Sequence, residues 1–473
     1  MQKVIIVDLD KSLIKIDLFY ESLIRSSIMS PINFLVAIYI LLSGNICKAK
    51  NFIAKKIKIN PQNIPYNIEV LNYLEIKKRE GFKIILSTGA SYIYANSISS
   101  YLEIFDEVIA TSEISNNIGK NKLTKIKEKI KTEFIYIGDS HKDIEIWNFC
   151  KYAIIVGDKI KSKIIEQNGV EVLKVFHRNN NIYKSFFYQL RVHQWVKNFL
   201  VFIPIIAGFH IFNFEILIQS LYLIATFCII SSSIYIINDI SDLENDRAHF
   251  EKKNRMIASG NLSIIISFIT SLLLLALGVI FAFYLDILFF YIVVCYILLN
   301  CFYSYILKKI IFIDLLCLTL FFNLRVISAH TIDEVDFSIW LISFSFFIFL
   351  GLSVIKRYVD LINLKNQIIL SMDGRGYKEN NIIHLKILII TCTLMSCTIL
   401  SIYIFLDQVK NIYSSPEILI LLIPLLAIWI IRLWTVATSG KMNSDPIIFV
   451  IKDYASYIFG ITFISTILAA KLI

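Results

Sequence analysis

Long apolar runs fill most of the last three-fifths of this chain, and they constrain its fold more than any other feature. Nine runs are long enough, or nearly long enough, to cross a bilayer; they cover residues 198–212, 216–237, 262–283, 285–306, 311–330, 337–355, 383–405, 416–434 and 453–472. A helix that crosses the hydrocarbon core needs about 20 residues. The first run is short and contains Pro204. The sequence therefore predicts a C-terminal all-α membrane bundle of about nine transmembrane helices.

The loops between these runs alternate in charge. One set of loops is basic and carries Arg247, Lys252, Lys253, Arg255, Lys308, Lys309, Lys356 and Arg357. The other set is mainly acidic and carries Glu215, Asp286, Asp333, Glu334, Asp336 and Asp407. Because basic loops remain in the cytoplasm, we expect an integral protein of the cell (inner) membrane whose N-terminal part and active sites face the cytoplasm. The net charge of +10 follows from this orientation and from phosphate substrates, and no nucleic-acid partner is expected.

An acidic motif, Asn238 to Asp246, follows the second apolar run. Its aspartates at 239, 242 and 246 are spaced so that they fall on one side of a helix. Hard oxygen ligands of this kind suit Mg²⁺, which usually also bridges substrate phosphates. The cations Arg247 and Arg255 follow directly and are candidates for further phosphate oxygens. The alternative is a solvated acidic loop between two membrane helices.

This motif resembles the first aspartate motif of the UbiA superfamily of intramembrane prenyltransferases. The resemblance implies Mg²⁺ ligands at Asp239, Asp242 and Asp246. Within the superfamily it is closest to the decaprenyl-phosphate phosphoribosyltransferase branch, because the sixth run closes on Lys356 to Asp360, where aromatic prenyltransferases carry a second aspartate cluster and this chain has one acid. The segment 191–198 resembles the entry motif of that branch, with Val192 where proline is usual.

The candidate substrate ligands come from these motifs and from one cation, Arg325, inside the fifth run, since an intramembrane charge is a functional hypothesis by default. They are Lys197, Asn198, Asn238, Arg247, Arg255, Tyr303, Lys308, Arg325, Lys356, Arg357 and Asp360. The substrates implied by the resemblance are phosphoribosyl pyrophosphate and a polyprenyl phosphate, held at the membrane bilayer.

Residues 1–175 have a different pattern. Short β-rich runs at 3–7, 82–86, 134–137 and 152–156 alternate with helical segments, which predicts an α/β Rossmann-like domain with a parallel sheet. Polar clusters follow each run, at the edge where such sheets bind ligands. Residues 176–190 are expected to form a linker, and residues 191–473 the membrane domain.

Together the polar clusters resemble those of the haloacid dehalogenase superfamily of phosphohydrolases. The resemblance implies that Asp8 is the nucleophile and Asp10 the general acid and base, with Thr88 (or Ser87) holding a phosphoryl oxygen. Either Lys120 or Lys122 would offset the phosphoryl charge. The Mg²⁺ ligands would be Asp8, Asp139 and Asp143. Lys11 stands where the family often has glycine. An inactive domain kept as a scaffold is the alternative.

Residues 13–80 are expected to form a helical cap. Its stretch 28–42 is apolar but too short to span, and it is followed by five lysines, at 48, 50, 55, 56 and 58. One interpretation is that its apolar face packs on the sheet. The other is that the cap dips into the membrane interface, anchored by the lysines.

These patterns predict a two-part membrane enzyme. The membrane part would transfer phosphoribose from phosphoribosyl pyrophosphate to a polyprenyl phosphate. The soluble part would then remove the phosphate that the ribose still carries. The alternative is a polyprenyltransferase that uses a prenyl diphosphate and an aromatic or other small acceptor. A third possibility is a lipid or ion carrier with a regulatory phosphatase, against which the clustered aspartates and cations argue.

Overall fold

The structure, a computed structural model, describes residues 3–157, 162–166, 169–177, 182–250, 252–366, 376–406, 409, 412–442 and 445–473. The chain divides into two units. Unit 1 comprises Met1–Leu190 together with Tyr235–Leu273, and unit 2 comprises Arg191–Ile234 together with Leu274–Ile473. The return of residues 235–273 to unit 1 is a feature that the sequence did not indicate.

Unit 1 is built on a six-stranded parallel sheet with the strand order β3-β2-β1-β4-β5-β6. The strands are β1 Val4–Val7, β2 Lys83–Ser91, β3 Glu107–Thr111, β4 Phe134–Gly138, β5 Tyr152–Val156 and β6 Glu171–Phe176. Alternate residues of β1 enter different apolar cores, Ile5 and Val7 on one face and Val4 and Ile6 on the other, as expected of a buried strand. The predicted Rossmann-like parallel sheet is therefore confirmed, with two strands more than the four predicted.

Helices connect and cover these strands. They are α1 Leu18–Met29, α2 Pro31–Leu42, α3 Ile46–Lys56, α4 Ile68–Arg79, α5 Tyr92–Leu102, α6 Lys120–Lys129, α7 Ile144–Trp147, α8 Ser162–Glu166 and α9 Ile182–Gln189. In the predicted cap, α4 buries Val70 and Leu74 in the core that also contains Ile5 and Val7, so α4 covers the sheet. In the predicted linker, α9 is helical, and residues 179–181 lie outside the described residues.

Most of the helices that follow α9 are long and apolar. The full set, including the short helices α10, α12 and α19, is α10 Phe202–Ala207, α11 Phe214–Ser241, α12 Leu243–Ala248, α13 Ile264–Leu285, α14 Ile287–Tyr305, α15 Ile313–Ser328, α16 Ile339–Asn366, α17 Asn381–Ile404, α18 Leu422–Thr438, α19 Pro446–Lys452 and α20 Tyr454–Leu472. Within the described part of the chain, eight helical segments are long and apolar enough to cross a membrane. The protein is therefore a multi-span integral membrane protein, as predicted.

The first of the nine apolar runs does not form the membrane-spanning helix that the sequence predicts. It forms a 3₁₀ segment, Val192–Val201, followed by the short helix α10, and together they are too short for the span that we predicted. Arg191 and Phe209, which bracket this segment, both have left-handed backbone angles, with φ of 52° and 61°. These turns end the helix on both sides, so an apolar composition alone was a misleading signal here.

Residues 242–250 and 252–263, which lie between α11 and α13, belong to unit 1. At Gly260, where φ is +73°, an added Cβ would lie 2.8 Å from the Cβ of Lys15. Such an approach admits only glycine without a shift. The loop is thus packed closely against the segment that follows β1.

Candidate active site

Three carboxylates meet at the carboxyl ends of β1 and β4. Asp8 follows β1, and Asp139 and Asp143 follow β4, the neighbouring strand. One oxygen from each carboxylate lies within 4.8 Å of the others, and all three residues are buried. In parallel sheets, this is the edge and the switch point at which ligands bind. Three converging carboxylates are a donor set that fits Mg²⁺.

Lys122, rather than Lys120, reaches this cluster. Its Nζ lies 2.7 Å from Oδ1 of Asp8 and 3.8 Å from Oδ1 of Asp143. Lys120 begins the same helix but its side chain is exposed. Lys120 and Lys122 are two residues apart on one helix and therefore point in different directions, so only Lys122 faces the carboxylates. The sequence alone did not indicate which of the two lysines would do so.

Tyr136 was missed by the sequence reasoning. Its hydroxyl donates to Oδ1 of Asp143 at 2.7 Å and accepts from Nζ of Lys122 at 2.7 Å. The ring is fully buried within β4 and packs edge-on against Trp147. In the sequence it reads as an ordinary strand residue. Its hydroxyl nevertheless joins the lysine to the acidic cluster and holds both in place.

Burial governs the acid–base properties of the two first carboxyls. Burial raises the pKa of Asp8 to about 7, although Lys122 opposes this effect. Burial, with the nearby Asp17 and Asp8 carboxylates, raises the pKa of Asp10 well above its ordinary value. The Asp10 side chain accepts a hydrogen bond from the Leu18 backbone at 3.0 Å. A protonated Asp10 is the form that a general acid requires.

Lys11, which directly follows Asp10, has φ of 58°. This is the left-handed region of backbone conformation, which glycine adopts with less strain than a residue that carries a side chain. Thr88 lies within β2 and is fully buried, and its hydroxyl accepts from the Ala90 backbone at 3.0 Å. Ser87 is also buried, and the amide of Asn117 links it to the Thr88 carbonyl.

Helix α3 contributes one cation to the same region. Lys50 is buried, and its Nζ lies 2.6 Å from the carbonyl of Gly89 and 3.3 Å from Oδ1 of Asn116. Burial lowers its pKa, while Asp10 and Asp17 favour its charged form. The cap thus places a positive charge beside the strand end that carries Thr88.

The acidic motif is divided between two helices. Asp239 lies in the last turn of α11, Asp246 lies in α12, and Asp242 is the N-cap residue between them, with φ of −91° and ψ of 11°. The predicted single helical face is therefore wrong. Helix α11 ends at Ser241 and α12 begins at Leu243, so the three aspartates do not share one continuous helix.

Asp239 and Asp246 nevertheless converge on one cation. Nη1 of Arg255 lies 3.0 Å from Oδ1 of Asp239 and 2.6 Å from Oδ2 of Asp246. Gln189, at the end of α9, donates to Oδ2 of Asp239 at 3.0 Å. Burial raises the pKa of Asp246 to about 6, against the opposing effect of Arg255. The donor set fits Mg²⁺, provided that Arg255 moves from its place between the two carboxylates.

Arg247 is bound elsewhere in unit 1. Its two terminal nitrogens lie 2.7 and 2.8 Å from the two carboxylate oxygens of Glu21 on α1, and Nε donates to the Ala258 carbonyl at 2.9 Å. One turn further along α1, Arg25 pairs with Glu244 at 2.9 Å. Arg247, predicted as a phosphate ligand, therefore binds the motif loop to the cap.

In unit 2, two lysines share one carboxylate. Nζ of Lys197 lies 2.5 Å and Nζ of Lys356 lies 3.5 Å from the same oxygen of Asp445, which begins α19. Burial disfavours the charged form of Asp445, but the two lysines outweigh it and lower its pKa to about 2. This cluster carries more positive than negative charge.

Arg357, beside Lys356 on α16, is fully buried in a network of its own. Its guanidinium contacts both carboxylate oxygens of Asp314 and lies 2.8 Å from Asp360 and 3.1 Å from the Tyr303 hydroxyl. Tyr303 donates to Asp314 at 2.8 Å. The network brings together three sequence candidates, and it pairs Arg357 with an acid of the preceding helix.

Arg325 contacts neutral groups. Its nitrogens donate to Oδ1 of Asn198 at 2.7 Å, to the Tyr296 hydroxyl at 2.9 Å and to the Phe321 carbonyl at 2.5 Å. The guanidinium carbon also lies 4.9 Å from the centre of the Tyr296 ring. Asn198 was predicted as a ligand, and here its amide group orients Arg325.

Residues 201–451, a little more than half of the chain, match the UbiA prenyltransferase family. The chain belongs to that family. The UbiA resemblance of the motifs is thereby confirmed, and the protein is a UbiA-type membrane transferase. The match contains the acidic motif, Arg325 and the network around Arg357, and it ends after Asp445; Lys197 and Asn198 directly precede it.

This UbiA-type transferase is similar to several known proteins. It is 32% identical over 459 residues to the uncharacterized protein y4nM of Sinorhizobium fredii (strain NBRC 101917 / NGR234), covering 96% of this chain and 89% of that one. It is 31% identical over 177 residues to a decaprenyl-phosphate phosphoribosyltransferase of Corynebacterium glutamicum, covering 37% of this chain and 53% of that one. A UbiA homolog from Archaeoglobus fulgidus, solved with DMAPP and Mg²⁺, aligns with 60% of this chain and 98% of that one at 16% identity and a TM-score of 0.45.

The remaining sequence candidates of the transferase lie near helix ends. Asn238 precedes Asp239 in the last turn of α11 and is half-buried, and Lys308 lies in the 3₁₀ turn Leu307–Lys309 after α14 and is also half-buried. Lys120 does not contact the cluster of Asp8, Asp139 and Asp143, as described above. Every other predicted residue lies in, or directly beside, one of the clusters described.

The buried pair between Arg247 and Glu21 gives a prediction for stability. Both side chains are at most 5% exposed, and removing one partner leaves an uncompensated buried charge, so Arg247→Met and Glu21→Leu should each cost about 3–5 kcal/mol of unfolding free energy in this transferase. The double variant should cost less than the sum of the two. Unfolding of the detergent-solubilised protein measures both quantities.

The matched control is the exposed pair Lys151–Glu133, whose side chains are 52% and 72% exposed. Exposed pairs contribute little, so Lys151→Met should leave the unfolding midpoint near that of the wild type. Additive costs in the Arg247 and Glu21 double variant would show that the two side chains do not act as a pair.

Proposed function

We propose that this UbiA-type transferase moves phosphoribose from phosphoribosyl pyrophosphate to a polyprenyl phosphate, and that unit 1 then removes the remaining ribose phosphate. In the first step an oxygen of the lipid phosphate attacks the anomeric carbon, and pyrophosphate leaves. In the second step the phosphate ester of the product is hydrolysed, leaving polyprenyl-phosphoryl-ribose. Similarity to a decaprenyl-phosphate phosphoribosyltransferase supports the first step.

The observation that carries the proposal is that cations outnumber carboxylates in two described clusters of unit 2, those around Asp445 and Arg325. Two lysines share the single carboxylate of Asp445, and Arg325 donates to three neutral oxygens. Charge within a membrane protein is costly and tends to serve a ligand. Phosphates of the donor or of the acceptor lipid are the ligands that such cations bind. Lys197, Lys356 and Arg325 are accordingly the phosphate-binding residues that we propose.

The acidic motif has a separate role in the proposal. Asp239 and Asp246, with Asp242, would hold Mg²⁺ on the pyrophosphate of the donor, and Arg255 would release the two carboxylates and contact phosphate oxygens. Bound there, the metal would neutralise the charge that grows on the leaving pyrophosphate. Arg247 is left out of the ligand set, because Glu21 engages both of its terminal nitrogens.

The soluble site supports a phosphatase of the haloacid dehalogenase type. Asp8 would attack the phosphorus and form an aspartyl phosphate, while Asp10, whose pKa is raised by burial, would give its proton to the departing ribose oxygen. Asp10 would then accept a proton from the water that hydrolyses the intermediate. Lys122 would offset the phosphoryl charge, and Asp139 and Asp143 would complete the Mg²⁺ site with Asp8.

The charge asymmetry of the loops supports a cytoplasmic location for both sites. The donor, phosphoribosyl pyrophosphate, carries several charges and dissolves in water, whereas the acceptor lies in the bilayer. A site at the cytoplasmic ends of the membrane helices has access to both. Unit 1 would meet the lipid product on the same side.

Product analysis tests the proposal. The full chain in lipid nanodiscs would be supplied with Mg²⁺, polyprenyl phosphate and ribose-labelled phosphoribosyl pyrophosphate, and we expect a labelled lipid without a ribose phosphate. Replacing Mg²⁺ with EDTA should abolish it. Mass spectrometry of the extracted lipid identifies the product.

The competing function gives a different result. If the protein is a prenyltransferase for a small acceptor, no labelled lipid will form, and a labelled prenyl diphosphate will instead yield a prenylated aromatic product. That outcome would overturn the phosphoribosyl assignment. A carrier would give neither product and would move its cargo without either substrate.

A further inference from the structure

Helix α2 carries an apolar face that the rest of unit 1 leaves exposed. Its residues from 31 to 42 include no charged side chain. Ile32, Leu35, Tyr39 and Leu42 are 64–83% exposed. These four residues recur at three- and four-residue steps, so they form one stripe of the helix. A stripe of this size on a soluble surface would be costly in water.

Another face of α2 packs against the neighbouring helices of the cap. Ala37 is fully buried, and Phe34, Ile38 and Leu41 pack around it with residues of α1 and α3. The cap therefore has a small core of its own, and α2 does not pack on the sheet with its exposed stripe. The interpretation that this stripe completes the soluble core is thereby disfavoured.

Unit 1 includes parts of two candidate membrane spans. It contains the end of α11 and the first ten residues of α13, both of which are long and apolar enough to span. The loop between these helix ends is paired to α1 through Arg247–Glu21 and Arg25–Glu244. Helix α1 ends at Met29, and α2 begins two residues later. The exposed stripe therefore lies on the element that directly follows the one bound to a membrane loop.

The charges that follow α2 fit the same surface. Helix α3 carries exposed lysines at positions 48, 55 and 56, and a further exposed lysine follows it at position 58. Lysines that flank an apolar helix extend toward lipid phosphates while the helix lies among the acyl chains. A helix of 12 residues is too short to cross the bilayer, so it would lie in the interface.

We propose that α2 is embedded in the cytoplasmic leaflet of the membrane that the long helices span, with Ile32, Leu35, Tyr39 and Leu42 facing the acyl chains. The occupant of this surface is lipid. The helix fixes the cap, and with it Lys50 on the next helix, relative to the bilayer surface. This anchor does not depend on which reaction either site performs.

Site-specific photocrosslinking tests the anchor. A benzophenone amino acid would be placed at Leu35 in the full chain, reconstituted in nanodiscs of phosphatidylethanolamine and phosphatidylglycerol. The matched control carries the same group at Ile114, a large apolar residue of unit 1 that is 95% exposed but lies in the loop after β3. Intact-protein mass spectrometry counts lipid adducts after irradiation.

We expect lipid adducts at position 35 and several-fold fewer at position 114. Equal yields at the two positions, or adducts with water and buffer alone at position 35, would overturn the proposal. A crosslinked dimer of the chain at position 35 would overturn it as well, since a second copy would then cover the stripe. The readout needs no catalysis, so it remains informative even if the proposed reactions fail.

Discussion

Asp8→Asn is expected to stop phosphate release and to leave a phosphorylated ribose on the lipid product. The amide of asparagine cannot act as a nucleophile, and it also removes the negative partner of Lys122 at 2.7 Å. Loss of a covalent nucleophile should reduce hydrolysis by at least about 10⁴-fold. Transfer should continue, because its proposed residues lie elsewhere. Labelled phosphoribosyl pyrophosphate and mass spectrometry of the extracted lipid separate the two steps.

The two lysines of α6 supply the matched control. Lys122→Met should impair hydrolysis strongly, since Lys122 contacts Asp8 and Tyr136. Lys120→Met should retain nearly wild-type hydrolysis, because its side chain is exposed. If Asp8→Asn gave the same final lipid as the wild type, unit 1 would not act on the product of the transferase.

Asp239→Asn is expected to slow transfer strongly while unit 1 remains folded and active on a small phosphate ester. The side chain is 4% exposed and sits between Arg255 and Gln189. Asparagine retains its size but lacks the charge that would hold Mg²⁺ on the leaving pyrophosphate. Loss of such electrostatic stabilisation should slow transfer by about 10²–10³-fold. Initial rates with labelled donor measure the loss.

Asp286→Asn is the matched control, because it makes the same aspartate-to-asparagine change outside the acidic motif. Asp286 caps α14 by accepting from the Phe289 backbone at 2.8 Å, a role that asparagine fills equally well. This variant should transfer at the wild-type rate. If Asp239→Asn behaved like Asp286→Asn, the motif would not bind the metal of the transfer step.

The sequence was most informative where chemistry follows directly from local chain geometry. Asp8, Asp139 and Asp143 each follow a β-rich run, and the shared edge of a parallel sheet brings them together, so their convergence could be expected. The long apolar helices were equally predictable. Their number was not, because the turns at Arg191 and Phe209 have no local signal in an apolar run.

Contacts between distant segments were beyond the sequence. Nothing near Tyr136 indicates that its hydroxyl would join Lys122 to Asp143, and Gln189 lies in a stretch that was predicted to be a linker. The acidic motif was found by its composition, but its position within unit 1 was not. Arg247 was assigned to phosphate for its charge, whereas Glu21, 226 residues earlier, accounts for that charge.

The composition of unit 1 from two separate stretches of chain has a consequence for its synthesis. Glu21 is translated long before Arg247, and most of α11 is translated between them. Until Arg247 has been synthesised, the Glu21 carboxylate lacks the guanidinium that pairs with it in the completed chain. We therefore expect unit 1 to complete its folding only after α11 has been synthesised, and a ribosome-bound chain that ends before residue 247 should be more sensitive to protease than the completed one.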